Sequence, residues 1–146
     1  MSEYNPMQND EYFDRVDNPG GHTAQYYRER GCRIDTRGTL KIHPTSRWGF
    51  YVTVITQSHQ RSKSETLVDG ALVDRGVFVD ADAWICSKAT LYNCHIGEGA
   101  IVAVGAVVRS QEVAPLVMVA GNPARVIARY IYGEWRYINP KYEVLS

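Results

Sequence analysis

The sequence predicts an all-β solenoid, and three observations carry that expectation. An aliphatic residue recurs on a six-residue step at Leu67, Val73, Val79, Ile85 and Leu91, and after one five-residue step the beat resumes at Ile96, Val102 and Val108. Two places before each beat from Val73 onward stands a small or slim residue: Ala71, Val77, Ala83, Ala89, Cys94, Ala100 and Ala106. Third, a six-residue period fits neither a helix, at about 3.6 residues per turn, nor a lone strand, at about two. It describes a repeating supersecondary unit, a short strand followed by a corner. Three units close one triangular coil, and coils stacked at roughly 4.8 Å bring each aliphatic residue over its counterpart about eighteen residues away. No coil buries its apolar side alone, so only the stack is stable.

The chain begins with a polar segment, residues 1–33, expected to form an irregular cap on the first coil. Asn18-Pro19-Gly20-Gly21 signals a turn. Thr23 is placed to cap a short helix through Tyr26, Tyr27 and Arg30 that Gly31 ends. The tyrosines of this segment (Tyr4, Tyr12, Tyr26, Tyr27) either line an acceptor or cover apolar surface. Extended structure starts at Ile34, and Ile42, Trp48 and Val54 keep the step, with Ser46, Val52 and Ser58 at the corner phase. The beat then stops over the polar stretch Gln57 to Glu65, which reads as a loop leaving the coil before the beat resumes at Leu67. The solenoid is expected to span residues 34–121. In the remainder, residues 122–146, Asn122 and Pro123 suit the start of a short C-terminal helix, with Val126, Ile127, Tyr130 and Ile131 on one face and Gly133 ending it. The aromatic tail (Trp135, Tyr137, Tyr142) is expected to pack on a neighbouring subunit.

Composition narrows the function. With 146 residues the chain is read as one domain, and Lys plus Arg (16) balance Asp plus Glu (16), so no net charge draws it to nucleic acid or a membrane. No apolar run approaches the length of a spanning segment or signal peptide, and a cytoplasmic location is the default expectation. Cys32, Cys86 and Cys94 form no CxxC pair and are an odd number, which reads as packing rather than a disulfide framework.

The repeat resembles that of the hexapeptide-repeat acyltransferases over roughly residues 42 to 131. The resemblance implies a left-handed parallel β-helix. The hand comes from the family alone, since parallel crossovers are normally right-handed. The chain departs from the family pattern where a glycine commonly follows the beat: only Gly97 keeps it, with Asp74, Asp80, Cys86, Tyr92 and Ala103 elsewhere. The run Val119-Ala120-Gly121-Asn122-Pro123-Ala124-Arg125 matches the signature that ends the β-helix in sugar and polysaccharide acetyltransferases of this type.

By that resemblance the chain is an O-acetyltransferase that uses acetyl-CoA as co-substrate and a saccharide hydroxyl as acceptor, with sites between the subunits of a homotrimer. His59, in Thr56-Gln57-Ser58-His59, takes the position of the family's general base. An acceptor hydroxyl is a poor nucleophile until its proton leaves, and a neutral imidazole near pH 7 is suited to take it. Gln60 stands where the subgroup often has Asp, so the base needs another orienting partner. Trp84, Ser87, Val104 and Gly105 fall on the expected acyl-CoA groove, Trp84 pointing outward and the Ser87 amide facing the thioester. Arg125 suits a CoA phosphate, while Arg109 and Arg129 fall near positions where relatives contact CoA. Val104, bulkier than the usual residue, narrows the groove. His22, His43, His59 and His95 lack the ligand spacing of the zinc carbonic anhydrases that share this β-helix, and no metal is expected, although His59 is common to both ideas and leaves a metalloenzyme as a lower-ranking alternative. A trimeric module that binds sugar or plays a structural role without turnover is the alternative of a different class, favoured by Gln60 and Val104.

Overall fold

The structure is a computed structural model that describes residues 23–61 and 68–141. The described residues are all-β apart from one short helix, and their parallel strands stack in three ladders around a common core, an arrangement consistent with a β-helix. The first ladder runs β1 (Arg33–Ile34), β4 (Thr53–Ile55), then the leading halves of β9 (Thr90–Ile96) and β11 (Val107–Val113). The second runs β2 (Leu40–Ile42), β7 (Val77–Val79) and the trailing halves of β9 and β11. The third is β3 (Arg47–Trp48), β8 (Trp84–Ile85), β10 (Ile101–Val102) and β12 (Val117–Ala120).

Each strand, and each half of β9 and β11, sends one beat residue inward, and the registers stack them in three columns: Ile34, Val54, Leu91, Val108; Ile42, Val79, Ile96, Val113; and Trp48, Ile85, Val102, Val119. All twelve are buried, and each aliphatic side chain taken from water contributes roughly 1.5–3 kcal/mol. The small row from Val77 to Ala106 is buried as expected, Ala83, Ala89, Ala100 and Ala106 fully, whereas Ala71 lies on strand β6 (Val68–Asp74), outside the coil.

The pitch departs from eighteen. Leu91 pairs with Val108 and Ile85 with Val102, and the side chains of Asn93 and Ser110, 17 positions apart, meet at one corner. The short step from Leu91 to Ile96 recurs from Val108 to Val113, because β9 and β11 each bend through a single residue there. Those residues are Asn93 (φ 49°) and Ser110 (φ 48°), and Asn93 Nδ2 donates to Ser110 Oγ at 3.2 Å.

Two expectations about the beat are corrected. Ser58 and Val73 are not coil positions: they face one another in an antiparallel hairpin of β5 (Gln57–Arg61) and β6 (Val68–Asp74), and Leu72 beside Val73 is exposed. The coil resumes at Val77, because the hairpin must close before the chain re-enters. Arg75 N donates to Thr56 O at 2.7 Å and Thr39 N to Asp74 Oδ1 at 2.9 Å. Leu67, Tyr4, Tyr12, the Asn18–Gly21 turn and Tyr142 lie outside the described residues.

Helix α1 (Ala24–Glu29) forms where Thr23 caps it, and it leads into Gly31 at positive φ. Tyr27 is fully buried, edge-on to Trp48, and Tyr26 hydrogen-bonds both the N–H and the C=O of Trp48. These two tyrosines therefore cover apolar surface.

The expected C-terminal helix is absent. β13 (Arg125–Ile131) runs antiparallel to β12, and β14 (Glu134–Tyr137) antiparallel to β13. A lone short helix is costly to nucleate, whereas the open edge of β12 offers unpaired backbone groups to a segment rich in β-branched and aromatic residues. Tyr132 and Gly133, both at positive φ, make the two-residue turn that such a hairpin favours. Trp135 then rests on Tyr130 of its own chain, with ring centroids 5.4 Å apart.

Candidate active site

On the third ladder the residue just before each beat points outward, giving the column Arg47, Trp84, Ile101, Met118. Trp84, Ile101 and Met118 of this column floor an apolar groove of about 670 Å³ in which Trp84, Ser87 and Val104 come together. Trp84 is half exposed, and Val104 stands out from the corner after β10. Phe50 and Ile127 complete the walls. Ser87 is held across the coils, its Oγ accepting from Phe50 N at 2.9 Å and its carbonyl from Gly105 N at 3.0 Å. Gly105 flanks the groove beside Val104 rather than lining it.

Burial pushes the Cys86 thiol up to about 11, so in this groove it is not a thiolate near neutral pH and not a ready acyl-accepting nucleophile. Phe50, Met118 and Ile127 are lining residues that the sequence reading left out. Met118 was available from the phase of the beat, one place before Val119, as Trp84 is before Ile85. Ile127 had been assigned to the helix that is absent.

Arg109 and Arg125 meet elsewhere, in a hollow of about 380 Å³ with Ser110, Gln111 and Pro123. Arg125 Nη1 donates to Ala124 O at 2.9 Å, and Gln111 ties the corner by donating to the same carbonyl. Neither guanidinium has a carboxylate within ion-pair reach among the described residues. Arg129 lies apart on β13, exposed.

His59 lines neither hollow. It is exposed on β5, opposite Leu72 of β6, and no hydrogen bond to a described residue orients its ring. What is held firmly is the stem beneath it. Thr56 is fully buried; its N–H donates to Asp35 Oδ2 at 3.1 Å, its hydroxyl to Asp35 O at 3.0 Å, and its Oγ1 accepts from Gly38 N at 2.9 Å. Arg75 Nε donates to Ser58 Oγ at 3.2 Å. Burial pushes the Asp35 carboxyl up, but hydrogen bonds from the Arg37 side chain and backbone and from Thr56 outweigh it, leaving its pKa below the ordinary value. A Cβ at Gly38 would collide with the Thr56 carbonyl, so only glycine allows this approach. No cluster of three or more metal-ligating side chains occurs among the described residues. No helix there is long and apolar enough to cross a membrane.

The fold is that of the hexapeptide-repeat acetyltransferases. A maltose O-acetyltransferase from Clostridium difficile 630 superposes with a TM-score of 0.54 at 18% identity, over 67% of this chain and 63% of that one. A hexapeptide-repeat acetyltransferase from Vibrio cholerae gives 0.56 at 24% identity, over 63% of this chain and 52% of that one. A galactoside acetyltransferase in complex with coenzyme A gives 0.56 at 20% identity, over 77% and 52%. The chain thus spans between about half and under two thirds of the length of these structures. No protein-family model matches the sequence, and no curated protein sequence matches it.

Proposed function

We propose that this chain is an acetyl-CoA-dependent O-acetyltransferase acting on a saccharide hydroxyl, built on a left-handed β-helix over residues 34–121 and working as a homotrimer with sites between subunits. The observation that carries the reading is the convergence of Trp84, Ser87 and Val104 on one apolar groove, with Arg109 and Arg125, which have no carboxylate partner among the described residues, in a separate hollow of the same coil stack. The donor set suits the co-substrate: an apolar channel for a pantetheine arm, and two guanidiniums for phosphate. Acetyl-CoA supplies an activated acyl carbon and a thiolate leaving group.

The residues of this chain do the remaining work. His59 accepts the acceptor's hydroxyl proton as the new ester bond forms and returns it to the departing sulfur, so the ring ends neutral. The Ser87 amide donates to the oxygen that gathers charge in the transition state, worth a few kcal/mol when well placed. The buried stem at Thr56 and Asp35 keeps the arm bearing His59 from folding back onto the coil. A neighbouring subunit supplies the groove that the arm serves.

A second reading, a trimeric sugar-binding or structural module without turnover, draws on the exposed ring of His59, which no described residue orients, and on Val104 projecting at the groove. Calorimetric titration with CoA, paired with a radiolabelled acetyl-transfer assay over an acceptor panel, tests both. Heat with CoA and label on a glycan supports the transferase. Neither heat nor thermal shift at millimolar CoA favours the silent module.

A further inference from the structure

The second ladder has an outward column of its own, one residue before each beat: Lys41, Phe78, His95 and Glu112. His95 Nε2 lies 2.7 Å from Asp80 Oδ2, both side chains being a little under half exposed, and Phe78 meets the His95 ring edge-on at 6.1 Å. This group forms a ridge between two hollows. One, of about 630 Å³, is lined by Lys41, Asp80 and Glu98; the other, of about 470 Å³, by His95, Gln111 and Glu112; Phe78 lines both. None of this is the apolar groove on the third ladder; Ser110 and Gln111 at its edge also line the hollow of Arg109 and Arg125, but the acetyl-transfer reading uses none of Phe78, Asp80 and His95.

The chemistry of the lining selects its ligand. The first hollow sets Lys41 and His43 against Asp80 and Glu98, and the second holds Glu112 beside His95, so along the face an anion meets three carboxylates and a cation meets Lys41, and neither gains much. An apolar ligand would strand these groups without partners. What remains is a neutral molecule with many hydroxyls, which both donate and accept, and with apolar C–H faces for Phe78. Rungs of the ladder lie about 4.8 Å apart, close to the advance of one sugar ring along an extended glycan. The Asp80 carboxylate fixes the orientation of the imidazole and leaves Nδ1 for a hydroxyl.

We propose that the face of the second ladder is a binding site for a neutral oligosaccharide, with subsites on either side of Phe78 and the His95–Asp80 pair between them. Site and turnover are independent: a protein with no transferase activity would still bind here. The test is titration of isotope-labelled full-length protein with neutral pentasaccharides built on glucose, galactose and N-acetylglucosamine, followed by amide chemical shifts. Binding by at least one glycan with shifts centred on Phe78, Asp80 and His95 is expected, weakened at least about tenfold by Phe78→Ala and by Asp80→Asn. No shifts with any of the three would overturn the proposal, as would shifts confined to the Trp84 groove or the His59 hairpin. So would wild-type affinity in Asp80→Asn, a half-exposed position where folding is not at stake. CoA added to the same sample reports on Trp84 separately, so failure of the donor groove and failure of this face are distinguishable.

Discussion

Two coils of this protein turn one corner with a single residue, and the coil below turns the same corner with a hairpin. Between β9's two halves stands Asn93, and between β11's stands Ser110. Between β4 and β7, at the equivalent place, the chain runs through β5 and β6 and carries His59. The ladders on either side continue in register: Val54 still pairs with Leu91 and Ile42 with Val79. A solenoid whose repeats touch only their neighbours accepts such an insertion, provided the stem closes and its buried polar groups are satisfied. Asp35, Thr56, Asp74 and Arg75 supply that closure. Stability therefore resides in the columns of beat residues, while the candidate base sits on an arm that the columns do not need.

That division can be broken experimentally. Leu91→Ala, which empties a fully buried position in the first column, should cost about 2–5 kcal/mol in chemical denaturation. Its effect on turnover per folded molecule should be slight. His59→Ala should do the reverse: an unchanged melting temperature, and transfer lowered at least about a hundredfold at saturating acceptor. A variant retaining the parental rate would take His59 out of the mechanism.

The one-residue corners sharpen the comparison. Asn93→Val places a β-branched residue in the left-handed region and should destabilise by about 1–2 kcal/mol, whereas Asn93→Gly should be close to neutral. Equal melting temperatures for the two variants would show that the corner is not under this constraint. The smallest effect belongs to the stem. The Asp35 pKa is depressed in the folded chain, so its contribution is present above the unfolded value of about 3.9 and is lost as pH falls through the lower folded value. Asp35→Asn should flatten the acid limb of the stability profile, read as melting temperature between about pH 5 and pH 2; an unaltered limb would mean that the hydrogen bonds from Arg37 and Thr56 do not favour the charged form.

Much of the fold was legible because an inward aliphatic residue is needed wherever a strand crosses the core. Ile85, Leu91, Ile96, Val102 and Val108 all lie where the beat put them. Val73 shows the limit: it keeps the step yet sits in a hairpin, since hydrophobic spacing does not record which strand is the partner. Val126, Ile127, Tyr130 and Ile131 show another. Their spacing satisfies a helical face, and what decided for β13 was the open edge of β12, a feature of the assembled stack. In the candidate site, Trp84, Ser87 and Val104 were placed in one groove from sequence. Arg109 and Arg125 converge with each other instead.

By itself the sequence determined the repeat, the three-strand coil and the inward columns, because these depend on local periodicity and on the need of every coil to bury its apolar side. Tertiary structure alone decided the antiparallel hairpin of β5 and β6, the antiparallel C-terminal strands and the pairing of His95 with Asp80 between adjacent coils. Each of those depends on a contact between residues distant in the chain, whose energy exists only once the ladders have brought them side by side.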